Sequence, residues 1–122
     1  MRVELESIKN SLTTSEVVIL GICRDVENVL GSQIANLNEA FSFFAKVHIR
    51  LVESDSKDCT IQVMEKIKKK FDNFDFESLG FLENEIPNRW ERIAFCRNRV
   101  KEFLHYNVRI HQKVFHYLLA HK

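Results

Sequence analysis

From Val17 to Cys23 the chain reads Val-Val-Ile-Leu-Gly-Ile-Cys, with no polar side chain among them. A continuous apolar, β-branched run suits a strand buried on both faces, and such strands belong to parallel sheets. After Arg24-Asp25 the period changes. Apolar residues now fall at Val26, Val29, Leu30, Ile34, Leu37, Phe41 and Phe44, one stripe of a helix of about five turns. A second strand is predicted over Val47 to Val52, ending in the polar cluster Glu53-Ser54-Asp55-Ser56-Lys57-Asp58. The following helix carries Thr60, Met64, Ile67 and Phe71 on one face and Lys66, Lys68, Lys69 and Lys70 elsewhere, with Ser56 or Asp58 as its N-cap. A third, weaker strand spans Phe74 to Leu79. Pro87-Asn88-Arg89-Trp90-Glu91 then has the form of a capping box, opening a helix to about Leu104.

The order β-α-β-α-β-α implies parallel strands joined by right-handed helical crossovers. The predicted fold is α/β and Rossmann-like, a parallel sheet of about three strands flanked by helices, plus a C-terminal helix. Three Gly and one Pro in 122 residues support long elements over many short strands, and the length fits one domain. Residues 1–15 read as a polar lead-in and 16–105 as the α/β half-domain. Residues 106–122 read as a basic amphipathic tail helix with Val108, Ile110, Val114, Phe115, Leu118 and Leu119 as its apolar part. That apolar side offers a surface for self-association or for docking on a partner.

Composition narrows the function. Apolar residues at 45% and charged residues at 29% are ordinary for a globular chain and argue against disorder. Eighteen Lys+Arg against seventeen Asp+Glu leave a formal charge of +1, too weak a field to steer nucleic acid, so no nucleic-acid partner is expected. Cys23, Cys59 and Cys96 form no C-x-x-C pair, which favours reduced thiols and a cytoplasmic location. Glu4, Glu6 and Lys9 interrupt any signal-like run, and no apolar stretch approaches the roughly 20 residues of a transmembrane segment. Among the histidines, His111, His116 and His121 are spaced by five, whereas ligands on one helix face need three or four. Neither a G-x-G-x-x-G fingerprint nor a Walker-type loop occurs.

In open parallel sheets, ligands bind at the carboxyl ends of the strands. Two polar clusters fall there: Cys23-Arg24-Asp25, and Glu53-Ser54-Asp55-Ser56. Such carboxylates either accept hydrogen bonds from ribose hydroxyls and base edges or act as helix caps; spacing leaves both readings open. In the last helix, Arg97 falls on the stripe Trp90, Ile93, Ala94, Val100, Leu104, with Arg92 and Arg99 flanking it. A guanidinium on a core-facing stripe calls for an anion, supplied either by a phosphate-bearing ligand or by a structural carboxylate.

Three stretches occur in order: Gly21-Ile22-Cys23-Arg24-Asp25-Val26-Glu27, Val52-Glu53-Ser54-Asp55-Ser56-Lys57-Asp58-Cys59-Thr60, and Glu91-Arg92-Ile93-Ala94-Phe95-Cys96-Arg97-Asn98-Arg99. Together, over about Glu16 to Leu104, they resemble the N-terminal half of a group of bacterial GT-A type glycosyltransferases, distantly similar to fungal capsule mannosyltransferases. The resemblance implies a nucleotide-sugar donor and a glycan acceptor, with sugar transfer to a surface polysaccharide such as capsule or lipopolysaccharide. It assigns Cys23, Arg24 and Asp25 to the base pocket and Glu53, Asp55 and Ser56 to base and ribose. Arg92, Arg97 and Asn98 would face the diphosphate or sugar. It also implies a divalent metal, Mn or Mg, held by an Asp-x-Asp pair that ends the next strand. The sequence departs there, with no Asp or Glu after Glu102. No metal ligand and no catalytic residue is therefore assigned. The expectation is a donor-binding portion of a longer enzyme, truncated by a frameshift or early stop. The alternative is a small non-catalytic interaction module.

Overall fold

The computed structural model describes residues 15–107 and 112–118. The elements are β1 (Glu16–Cys23), α1 (Leu30–Ala40), β2 (Lys46–Glu53), α2 (Thr60–Lys70), β3 (Phe74–Ser78), α3 (Arg89–Asn107) and β4 (Gln112–Leu118). The strands form one sheet in the order β3-β2-β1-β4, and each neighbouring pair is parallel. This is the strand order of the first half of a doubly wound sheet, with the switch in direction between β1 and β4. The Rossmann-like α/β architecture is the one the hydrophobic periods predict.

β1 lies in the middle, and its two faces feed two cores. Val17, Ile19 and Cys23 pack with Val26, Leu30, Ile34 and Leu37 of the α1 segment and with Met64 and Ile67 of α2. On the other face, Val18, Leu20 and Ile22 pack with Val52, Leu82, Cys96 and Val100 beneath α3. An apolar run without alternation is what this double burial demands. The predicted helix over Val26 to Phe44 is shorter as a regular element. Val26 and Phe44 are nonetheless buried at its flanks, so the stripe itself reaches the core.

The tail differs from the expectation. Gln112–Leu118 is a strand paired with β1 from Glu16↔Gln112 to Ile22↔Leu118, not a helix, and the sheet therefore has four strands. The physical reason is tertiary. With β2 on one side only, β1 would leave a row of backbone groups unpaired at its other edge, and a β-branched and aromatic segment (Val114, Phe115, Tyr117) fits that row. The lead-in over residues 1–14 lies outside the described residues. No helix among the described residues is long and apolar enough to cross a membrane.

Candidate functional site

The register aligns the carboxyl ends of the strands: Cys23 pairs with Glu53, Glu53 with Ser78, and Ile22 with Leu118. Two residues just past these ends, Asp25 (φ 51°) and Asp55 (φ 60°), adopt left-handed backbone. Asp tolerates that region better than most side chains, and here it lets each loop turn sharply back onto the other.

The two loops are joined side chain to backbone. Ser56 Oγ accepts the Asp25 N–H at 3.1 Å, Thr60 Oγ1 accepts the Val26 N–H at 2.9 Å, and Asp58 Oδ2 accepts the Glu27 N–H at 3.2 Å. In return, Asp25 Oδ1 accepts the Lys57 N–H at 2.7 Å. Asp58 also accepts the Thr60 N–H and hydroxyl, so it rather than Ser56 serves the start of α2. Desolvation pushes the Asp58 carboxyl upward, but the hydrogen bonds from Thr60 and Glu27 outweigh it and hold the group below the usual carboxylate range. The N–H groups ahead of α1, where parallel α/β folds hold phosphates, are thus taken by the protein's own oxygens.

Glu53 and Asp55 are each 1% exposed. Glu53 accepts from the Ser56 N–H and the Ser78 hydroxyl, tying β2 to β3. Asp55 Oδ1 accepts from the Leu82 N–H at 2.7 Å and the Glu83 N–H at 3.0 Å, anchoring the loop between β3 and α3. Asp55 Oδ2 has no hydrogen-bond partner, and its nearest cation is Arg92 Nε at 3.8 Å. A buried carboxylate oxygen without a donor is expensive, and such groups cluster where ligands bind.

Beside it opens a cleft of about 360 Å³, counting space open to solvent, lined by Cys23, Arg24, Asp55, Arg92, Ile93 and Cys96 among others. Ile22, Ile93 and the two thiols supply apolar lining, while Arg24, Ser54, Asp55, Arg89 and Arg92 supply polar groups, a mixture that suits a small anionic ligand. Arg24 donates to Glu83 at 2.8 Å, while its Nε is buried without a hydrogen-bond partner. Arg92 Nη1 donates to the Ile86 and Pro87 carbonyls at 3.0 and 2.7 Å. Cys96 Sγ donates to Ser54 Oγ at 3.4 Å. Burial, and after it the neighbouring carboxylates, pushes the Cys23 thiol up. Cys96 is raised mainly by burial too, so neither is a ready thiolate.

Of the predicted site residues, Cys23, Arg24, Asp55 and Arg92 line the cleft, and Asp25, Glu53 and Ser56 brace its loops. Arg97 and Asn98 are not brought there; both are exposed on α3. The inward stripe of α3 runs through buried Arg92, Cys96 and Val100 and partly buried Ile93 and Phe103, rotated from the predicted one, and Trp90 is 73% exposed. Treating Cys96 as the small buried hydrophobe it usually is would have set this phase. Glu83 and Arg89 lie near or in the site without any sequence signal, because the segment before α3 has no period.

A divalent metal does not fit the described residues. They contain no cluster of three or more His, Cys, Asp or Glu side chains able to hold one, and Asp25 and Asp55 spend their Oδ1 atoms on backbone N–H groups. The pair implied by the resemblance would end β4, where the sequence has no Asp or Glu. The fold and cleft define a protein of the doubly wound parallel α/β class. No protein-family profile, curated protein or solved structure matches the chain.

Proposed function

We propose that this chain binds the nucleoside diphosphate part of a nucleotide-sugar donor at the carboxyl ends of β1 and β2, as the donor-binding portion of a glycosyltransferase of surface polysaccharide synthesis. One observation carries the reading: the fully buried Asp55 Oδ2, without a hydrogen-bond donor, beside a cleft that also presents Arg24 and Arg92. An acceptor next to two guanidiniums suits a ligand with a hydroxyl or base N–H at one point and phosphate at another. The resemblance supplies the donor class and the surface glycan as destination. β4 supports it further, since a strand after the helix of Arg92 is what the resemblance expects.

The residues in hand bind and orient the donor, and no bond-making step is assigned to them. Calorimetric titration with nucleoside diphosphates and nucleotide sugars, with and without Mn²⁺, tests the reading. Selective binding without Mn²⁺ is the expected result. A folded chain that binds none of them would sink it. A second reading, an interaction module, is favoured by exposed Phe81, Trp90 and Phe95 around α3. It predicts concentration-dependent self-association that Trp90→Ser weakens, measured by analytical ultracentrifugation.

A further inference from the structure

Glu83 lies in the loop between β3 and α3, and its carboxylate meets cations from three separate segments. Oε1 is 2.8 Å from Arg24 Nη2 and 3.9 Å from Arg92 Nη2, and Oε2 is 4.0 Å from Lys57 Nζ. Arg24 follows β1, Lys57 precedes α2 and Arg92 sits on α3, so the cluster exists only in the folded chain. Two other carboxylates are close: Asp25 Oδ2 at 3.5 Å from Arg24 Nε, and Asp55 Oδ2 at 3.8 Å from Arg92 Nε. Both belong to side chains whose Oδ1 atoms hold backbone N–H groups, so they are fixed parts of the loops. Glu83 is different. Its side chain is 37% exposed, against 20% for Arg24 and 10% for Arg92, so its carboxylate sits on the solvent side of the guanidiniums. It can leave without opening either core.

We propose that Glu83 is an internal competitor: its carboxylate occupies an anion site formed by Arg24, Lys57 and Arg92, and an incoming diphosphate group displaces it. The inference rests on the donor-binding reading above and adds to it the position of the diphosphate. A diphosphate brings more charge and more acceptor oxygens than one carboxylate, so it is the better partner for two forked guanidiniums and an ammonium.

The test is metal-free calorimetry of the full chain with inorganic pyrophosphate, comparing the wild type with Glu83→Gln. Because the displaced contacts are partly exposed, the gain is modest: Glu83→Gln binds roughly fivefold tighter, and adding Arg24→Gln removes the gain. Circular dichroism checks that each variant is folded. Equal affinity for wild type and Glu83→Gln, or no binding by either folded protein, overturns the proposal. A second measurement needs no variant. Pyrophosphate should shift the carbon-13 resonance of the Glu83 side-chain carboxylate in the wild type, and an unmoved resonance at saturation overturns the proposal as well. Nucleoside diphosphates are titrated in parallel. A Glu83→Gln gain for pyrophosphate with no binding of any nucleotide keeps the competitor and defeats the donor reading. Nucleotide selectivity indifferent to Glu83→Gln does the reverse.

Discussion

Asp55→Asn separates two jobs held by one buried side chain. Asp55 has φ 60°, a conformation Asn adopts about as readily, so the exchange adds little backbone strain. An Asn carbonyl in place of Oδ1 still accepts the Leu82 and Glu83 N–H groups, now 2.7 and 3.0 Å away. What changes is the other atom. Oδ2, without a hydrogen-bond donor and 3.8 Å from Arg92 Nε, becomes an uncharged amide nitrogen, a donor in place of an acceptor. Losing charge assistance on two hydrogen bonds and one ionic attraction costs about 1–2 kcal/mol of folding stability. Against roughly 5–15 kcal/mol for a domain, the variant stays folded. A ligand hydrogen bond to a charged acceptor contributes about 1.5–3 kcal/mol, so nucleotide affinity falls roughly ten- to hundredfold. Asp55→Ala instead strips the buried Leu82 N–H and the partly buried Glu83 N–H of their acceptor and puts alanine in left-handed backbone, costing about 3 kcal/mol or more. Urea unfolding measures the stabilities, and calorimetry with the nucleotide that the wild type prefers measures affinity. A folded Asn variant that binds within twofold of wild type would refute the role given to Oδ2. An Asn variant as unstable as the Ala variant would show that the charge, not the Oδ1 acceptor, holds the loop.

Three further outcomes follow from the same contacts. Thr60→Val leaves the buried Val26 N–H without its acceptor and should lower the urea unfolding free energy by about 1–3 kcal/mol, with Thr60→Ser recovering most of it. Stability should be level near neutrality and fall in acid. Desolvation raises the Asp58 and Asp75 carboxyls, but hydrogen bonds from Thr60 to the first and from Lys68 to the second leave both below their ordinary 3.8. Their contribution is complete above that value and is lost as pH drops through the lower folded values, so urea midpoints that rise on acidification from pH 4 would contradict this. Iodoacetamide should label exposed Cys59 in the native chain and reach Cys23 and Cys96 only in urea; mass-spectrometric detection of native Cys96 labelling would contradict its burial.

The parts of this fold legible in the sequence are those whose pattern is set by two faces at once. Val17 to Cys23 could be read as a central strand because both of its faces are buried, and α1 because Leu30, Ile34 and Leu37 repeat at helical spacing. Asn88 could be read as a cap, and its Oδ1 does accept the Trp90 and Glu91 N–H groups. α3 resisted because it is long, mostly exposed, and carries a bulky Trp90 on its wet side, which drew the stripe away from Cys96 and Val100. The pattern therefore puts Arg97 on the core side, a place that Arg92 holds. β4 resisted because strand pairing to β1 is a tertiary fact, and Val108 to Leu119 satisfies a helical period equally well. In the site, Asp25 and Asp55 were found by position at strand ends. Their left-handed backbone and the loop-to-loop hydrogen bonds have no one-dimensional signature.

Those loop contacts bear on where the proposed anion would enter. In a dinucleotide-binding sheet the phosphates meet open N–H groups at the start of the first crossover helix, which glycines leave unobstructed. Here Ser56, Thr60 and Asp58 fill the N–H groups of Asp25, Val26 and Glu27, and no glycine stands in that turn. A phosphate entering there would have to displace the Asp58 carboxylate and break the link between two strand-end loops. On the opposite side of β1, Arg24 and Arg92 line a cleft together with Ile22, Ile93 and Cys96, and the carboxylate that meets both of them, Glu83, stands on a side chain partly open to solvent. The same hydrogen bonds that close the usual phosphate site thus brace the loop that presents Arg24, so the α3 side is where an anionic ligand meets the lower barrier.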